Sequence, residues 1–141
     1  MDASNFKIVK NALTSYIYQS MRDPKLFRFY DFNDVEIALK NDLFEVVIYC
    51  DEDVAGIARV VGDGKIVFFL KDVIVNPKYQ NMGCGDLLMK TIFKYISDNA
   101  CKGAYVGLMS TPGKEGFYSK YGFIKRPTDN LGSGMVLFYD N

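Results

Sequence analysis

The sequence predicts a mixed α/β (α+β) fold in a single domain spanning residues 1–141. Two patterns and one length carry that expectation. β-Rich runs joined by short acidic or glycine turns read as antiparallel hairpins. Further along, strand-like runs alternate with segments of helical periodicity, giving strand–helix–strand–helix–strand. At 141 residues the chain is large enough to bury one core and too short for two.

Residues 6–11 read as a short first strand. Leu13, Tyr16, Ile17, Ser20 and Met21 fall at i, i+3, i+4, i+7 and i+8, one face of a helix that Pro24 forecloses. Asn33 and Glu36 have capping-box spacing, with Asn in place of Ser or Thr, before a second helix over residues 35–43. Runs 44–49 and 54–61, joined by Asp51-Glu52-Asp53, read as a hairpin, and Gly62-Asp63-Gly64 makes the next turn. The apolar run 66–70 leads into 71–75, expected as a strand buried on both faces near the sheet centre. A third helix from 83 to 98 places Leu87, Leu88, Thr91, Ile92, Tyr95 and Ile96 on one face. Residues 103–109 form a short apolar strand. Thr111-Pro112 reads as an N-cap followed by proline at the first helical position, with a helix running to 121 and Gly122 at C′. Residues 135–139 (MVLFY) are expected as a closing strand at a sheet edge. No internal repeat, low-complexity tract or linker interrupts this order.

Composition excludes several function classes. Lys+Arg and Asp+Glu are equal at 17 each, so no global field draws the chain to nucleic acid or an anionic membrane. No run approaches a membrane span, and MDASNFKIVK lacks a secretory apolar region. Cys50, Cys84 and Cys101 are an odd set without C-x-x-C spacing, neither a disulfide framework nor a metal set. The absence of histidine argues against a zinc site and a His-based triad. A cytoplasmic, metal-free domain with reduced thiols is expected.

The most informative stretch is 72–88, DVIVNPKYQNMGCGDLL. A β-branched strand passes through Asn76-Pro77 into Gln80-Asn81-Met82-Gly83-Cys84-Gly85 and then into a helix. Glycines at 83 and 85 remove side chains where first-turn N–H groups lack intrahelical partners and the macrodipole adds positive charge. Phosphate oxygens suit such a place. The nucleotide P-loop does not fit, because Gly85 is followed by Asp86-Leu87 rather than Lys-Ser/Thr. The dinucleotide fingerprint does not fit either, since Leu88 stands where its third glycine belongs.

The pattern that fits, strand-Val-x-Pro-x-Tyr followed by Q-x-x-G-x-G, resembles the pyrophosphate loop of the GNAT superfamily of acyl-CoA-dependent N-acyltransferases. Gly116-Phe117-Tyr118-Ser119-Lys120-Tyr121-Gly122-Phe123 resembles that superfamily's F-Y-x-x-x-G-F motif. The tail Arg126-Pro127 … Gly132-Ser133-Gly134-Met135 is similar to the ending of a mostly uncharacterised bacterial subgroup. The resemblance implies a mixed, mostly antiparallel central sheet flanked by about four helices in three layers. It implies acetyl-CoA as co-substrate, with its pyrophosphate on Gln80, Asn81, Met82, Gly83, Cys84, Gly85 and Asp86 and its pantetheine along Val73, Ile74 and Val75. Thr111 stands near where many relatives carry a cofactor-contacting asparagine; it reads as an N-cap as well.

Tyr118 is the implied general acid. A neutral amine attacks the thioester carbonyl and a thiolate leaves, and a phenol in a dry site is a reasonable proton donor to it. Phe117, Tyr118 and Tyr121 at helical spacing also read simply as core. Asp72 has two readings, a base that deprotonates an ammonium substrate directly or through water, and a strand-end carboxylate paired with Lys71 or Arg59. Glu45 and Glu115 are weaker base candidates. Cys84, at a helix N-terminus that lowers a thiol pKa, reads as a small filler open to oxidation. The activity implied is transfer of acetyl to a primary amine of a small molecule. A non-catalytic acyl-CoA-binding module and a protein amine acetyltransferase are the alternatives. Many relatives pair through C-terminal strands, so residues 135–139 suggest a homodimer.

Overall fold

The computed structural model describes residues 5–140, in two compact units that divide after Val106. The first unit contains, in order, β1 (Phe6–Lys10), α1 (Ser15–Met21), α2 (Phe32–Lys40), β2 (Phe44–Cys50), β3 (Asp53–Gly62), β4 (Val67–Val75) and α3 (Cys84–Asn99). Strand β5 (Tyr105–Leu108) spans the division, and α4 (Glu115–Ser119) belongs to the second unit. The five strands form one sheet in the order β1-β2-β3-β4-β5, and the pairings β1–β2, β2–β3 and β3–β4 are antiparallel. The expected mixed α/β fold, with a mostly antiparallel sheet and four helices, is the fold observed. Among the described residues no helix is long and apolar enough to cross a membrane.

Strand alternation sorts the first unit into layers. On one face Val47 of β2 and Ile57 of β3 pack with Leu13, Ile17 and Tyr18 from α1 and its approach, and with Val35 of α2. On the other face Phe44 of β2 stacks on Tyr95 of α3 with ring centroids 4.5 Å apart, and Phe68 of β4 meets the same ring edge-on. Helices α1 and α2 therefore cover one side of the sheet and α3 the other. The strand buried along nearly its whole length is β2, with Val46, Val47 and Ile48 at 0% exposure. Strand β4, expected to be buried on both faces, instead alternates, with Val67 and Lys71 exposed, because it lies fourth of five in the sheet.

Three expected elements change. Helix α2 begins at Phe32 rather than near 35 and ends at Lys40 rather than 43. Its N-cap is Asp31, whose carboxylate accepts the Asn33 N–H at 3.1 Å. A charged acceptor at the dipole's positive end displaces the Asn33 cap. Glu36, the expected box partner, instead accepts the Ser15 hydroxyl. In the second unit the Thr111 carbonyl accepts the Lys114 N–H at 3.2 Å, closing a turn, so Thr111 is not the N-cap; Lys114 holds that position without a side-chain cap. Helix α4 stops at Ser119 rather than 121, and Gly122 follows in the left-handed region at φ +91°. Residues 135–139 form no strand; Met135, Leu137 and Tyr139 are each more than 80% exposed. β-Propensity measures fit to a pleated, half-buried surface, and those residues have no ladder among the described residues.

Candidate active site

The glycine loop is built from the end of β4 onward. Asn76 fixes it three ways. Its N–H donates to the Ala55 carbonyl at 2.8 Å, its Nδ2 donates to the Val54 carbonyl at 3.1 Å, and its Oδ1 accepts the Lys78 N–H at 3.0 Å. A single 3-10 turn, Pro77–Tyr79, follows. Tyr79 is buried, and its hydroxyl donates to Asp53 Oδ2 at 2.7 Å, joined there by Lys78 Nζ at 3.0 Å. These two donors, the tyrosine first, hold the Asp53 carboxyl below the usual carboxylate range. The turn ahead of the loop is thus pinned to the β2–β3 hairpin.

Beyond it the backbone enters the left-handed region twice, at Asn81 (φ +63°) and Gly83 (φ +86°). Asn tolerates that region better than most residues, and Gly occupies it without strain. Gly83 is the N-cap of α3 and offers no side-chain cap, and the first helical bond runs from the Leu87 N–H to the Gly83 carbonyl at 3.0 Å. No side chain caps the start of this 16-residue helix, where the dipole's positive end lies.

Gly56 lets that helix start sit against the sheet. A β-carbon there would lie 2.7 Å from Cys84 Sγ, 3.2 Å from Leu88 Cδ1 and 3.3 Å from the Ile74 carbonyl oxygen. Gly56 is a lone glycine inside a strand pattern, the sequence signal of close backbone approach, and it is a functional position beyond those predicted above. Cys84 is fully buried, and burial pushes its thiol up to about 11, with Cys50 adding to the shift. That corrects the expected lowering, because desolvation outweighs the helix dipole. Cys84 is an inert filler.

Residues 73–75 lie just past a bulge. Ile57 pairs with Ile74 and Arg59 with Lys71, so two steps on β3 face three on β4. The extra residue is Asp72, at φ +54°. Without it Asp72 would alternate onto the α3 side with Phe68; the bulge turns it to the α1 side. Its side chain is fully buried, with Oδ1 3.1 Å from Arg22 Nε and Oδ2 3.3 Å from Arg59 Nη1. Arg59 in turn makes a forked contact with Asp42, at 2.7 Å from Nη2 and 3.0 Å from Nε. Glu45, buried beside this pair, has its carboxyl pushed up to about 8, first by burial and then by hydrogen bonding to Asp42.

The second unit holds the tyrosine cluster. Tyr118 meets Phe117 at 5.1 Å and Phe123 at 6.1 Å between centroids, both edge-on, and Phe117 meets Tyr121 at 5.4 Å. Burial raises the Tyr118 phenol above its ordinary value, so it carries its proton at neutral pH.

The Acetyltransferase (GNAT) domain family matches residues 42–125, from the end of the α2 connection through α4 and the glycine after it. The chain belongs to the GNAT family. A relative in Prochlorococcus marinus, the uncharacterized N-acetyltransferase ycf52-like, is 31% identical over 100 residues, covering 68% of this chain and 54% of that protein. This GNAT chain spans about half the length of most of the curated relatives it matches. Among solved structures, a probable acetyltransferase of unknown function from meticillin-resistant Staphylococcus aureus is 31% identical with a TM-score of 0.84, covering 95% of this chain and 99% of that one. A GNAT family acetyltransferase from Streptococcus pneumoniae is 28% identical with a TM-score of 0.77, covering 96% and 99%.

Proposed function

We propose that this chain is a cytoplasmic, metal-independent N-acetyltransferase that uses acetyl-CoA to acetylate a primary amine of a small molecule by direct attack. The observation that carries the reading is the loop through left-handed Asn81 and Gly83 into the uncapped start of α3. First-turn N–H groups at a positive dipole end fit a pyrophosphate. In this reading the N–H groups of residues 80–86 take the pyrophosphate, and the backbone of residues 73–75 runs beside the pantetheine. Acetyl-CoA supplies the activated acetyl group as a thioester. Thr111 offers a hydroxyl where relatives carry asparagine.

Tyr118 is the proton donor to the departing thiolate. Burial raises its phenol, so the proton is held at neutral pH and is available to the thiolate as it leaves. Asp72 serves this scheme better as the anchor of the bulge than as a base, because each of its oxygens faces a guanidinium. Water then carries the amine proton away.

Coenzyme A release from acetyl-CoA, measured against polyamines, arylalkylamines, amino sugars and aminoglycosides, is expected to reveal at least one accepted amine. Release with none of them, alongside intact coenzyme A binding, would favour a non-catalytic binding module. Gly85→Val is expected to block phosphate approach; unchanged coenzyme A affinity in calorimetry counts against the loop assignment.

A further inference from the structure

The bulge at Asp72 is held by more than its own strand. Arg22, the C-cap residue of α1, is almost fully buried at its side chain and reaches Asp72 Oδ1 at 3.1 Å. That contact is an ion pair rather than a well-directed hydrogen bond. The same guanidinium lies over the rings of Tyr18 and Phe27, each 4.9 Å from the centroid, and of Tyr30 at 5.3 Å. Its Nη1 donates to the Arg28 carbonyl at 3.0 Å, and nearby Gln19 Nε2 donates to the Tyr30 carbonyl at 2.9 Å. The connection between α1 and α2 is therefore folded around one arginine, and that arginine is fixed by the bulge residue of β4. Tyr18, at 4% exposure, lies beside the same carboxylate, and burial first and the Asp72 charge second push its phenol up to about 12.

Charge counting shows why the pieces depend on one another. Arg22, Asp72, Arg59 and Asp42 form a chain of alternating sign with no net charge, and all four side chains are at most 11% exposed. Removing one member of such a chain strands an opposite charge out of water, which is far costlier than losing a surface pair. The guanidinium's planar, weakly hydrated shape suits stacking flat on several rings while it pairs with a carboxylate, whereas an ammonium, a compact point charge, pairs with the carboxylate but has no plane to stack.

We propose that Arg22 and Asp72 are a positioning pair that locks the α1–α2 connection, residues 23–30, to the bulge of β4. The pair thereby sets the backbone of residues 73–75. Its importance for catalysis rests on the cofactor reading given above, in which that backbone meets the pantetheine. The locking itself does not rest on it.

Amide hydrogen exchange read by mass spectrometry on the full chain separates the two. In Arg22→Gln, exchange is expected to speed up by about tenfold or more both in residues 23–30 and in residues 73–75, while α3 stays protected. Arg22→Lys keeps a cation for Asp72 but loses the stack and the Arg28 contact, so it should restore protection at 73–75 and not at 23–30. Coenzyme A affinity by calorimetry should fall about tenfold in Arg22→Gln and recover in Arg22→Lys. Asp72→Asn combined with Arg22→Gln, which leaves the neutral Arg59–Asp42 pair, should open residues 73–75 no further than Asp72→Asn alone. Should Arg22→Gln prove too unstable, Arg22→Lys against wild type still reads the separation. Unchanged exchange at 73–75 in Arg22→Gln, or equal loosening of both segments in Arg22→Lys, overturns the pair. Wild-type protein that binds no coenzyme A would overturn the cofactor reading and leave the exchange result to decide the lock.

Discussion

Replacing Gly83 by alanine tests the phosphate loop at its most constrained point. Gly83 sits at φ +86° and ψ +4° as the N-cap of α3. An L-residue there costs about 1–2 kcal/mol in backbone strain. Alanine recovers roughly 0.4–1 kcal/mol through its smaller unfolded-state entropy, so the net loss of stability is about 1 kcal/mol. For a chain of this size that lowers Tm by about 4 °C. The added methyl also stands at the helix start, where phosphate oxygens would approach the N–H groups. Losing one charge-assisted hydrogen bond of about 1.5–3 kcal/mol weakens coenzyme A binding roughly 10- to 150-fold.

Gly103→Ala separates these effects. Gly103 has nearly the same backbone angle, φ +81°, and a β-carbon there meets nothing within 4 Å. It is expected to cost the same ~1 kcal/mol and leave coenzyme A affinity unchanged. Thermal unfolding and calorimetry on both variants read the two quantities. If Gly83→Ala loses stability like Gly103→Ala and binds coenzyme A like wild type, the phosphate does not lie on this loop and the reasoning fails.

Tyr118→Phe keeps shape and ring contacts, so kcat should fall by roughly 10²–10⁴ with little change in coenzyme A affinity; full turnover would return Tyr118 to a packing role. Glu45, raised to about 8 in the folded state against about 4.3 unfolded, makes the folded state bind the extra proton between those values. Its contribution is complete below pH ~4.3 and is lost as pH rises through ~8, at up to about 1.4 kcal/mol per pH unit. Urea unfolding from pH 5 to 8 should show that decline in wild type and a shallower one in Glu45→Gln; equal slopes would refute it. Gly56→Ala pushes a methyl into Cys84 Sγ and Leu88, for a loss of about 1–3 kcal/mol, and Cys84→Ala in the same chain should recover part of it. The homodimer suggested by residues 135–139 is read by light scattering at tens of micromolar, where a mass near the chain's 16.0 kDa contradicts it.

Local chemistry made much of this protein legible in its residues. The β2–β3 hairpin, the face of α3 and the glycine loop follow from alternation, helical periodicity and the need for residues that accept positive φ at 81 and 83. Those signals are complete within a few neighbouring residues. What escaped depends on partners far apart in the chain. For Asp72 the sequence suggests a base or a carboxylate paired with Lys71 or Arg59, and the Arg59 pair does form; the bulge that turns it toward Arg22, 50 positions earlier, comes only with the β3–β4 register. The cap of α2 went to Asp31, a charged acceptor for the Asn33 N–H, while Glu36 accepts the Ser15 hydroxyl across the α1–α2 packing. Residues 135–139 carry strand propensity, but only a partner's ladder makes a strand. The thiol of Cys84 shows the same division. Its place at a helix start is written in the sequence, whereas the burial that raises its pKa comes from Gly56 on another strand letting the helix close down on the sheet.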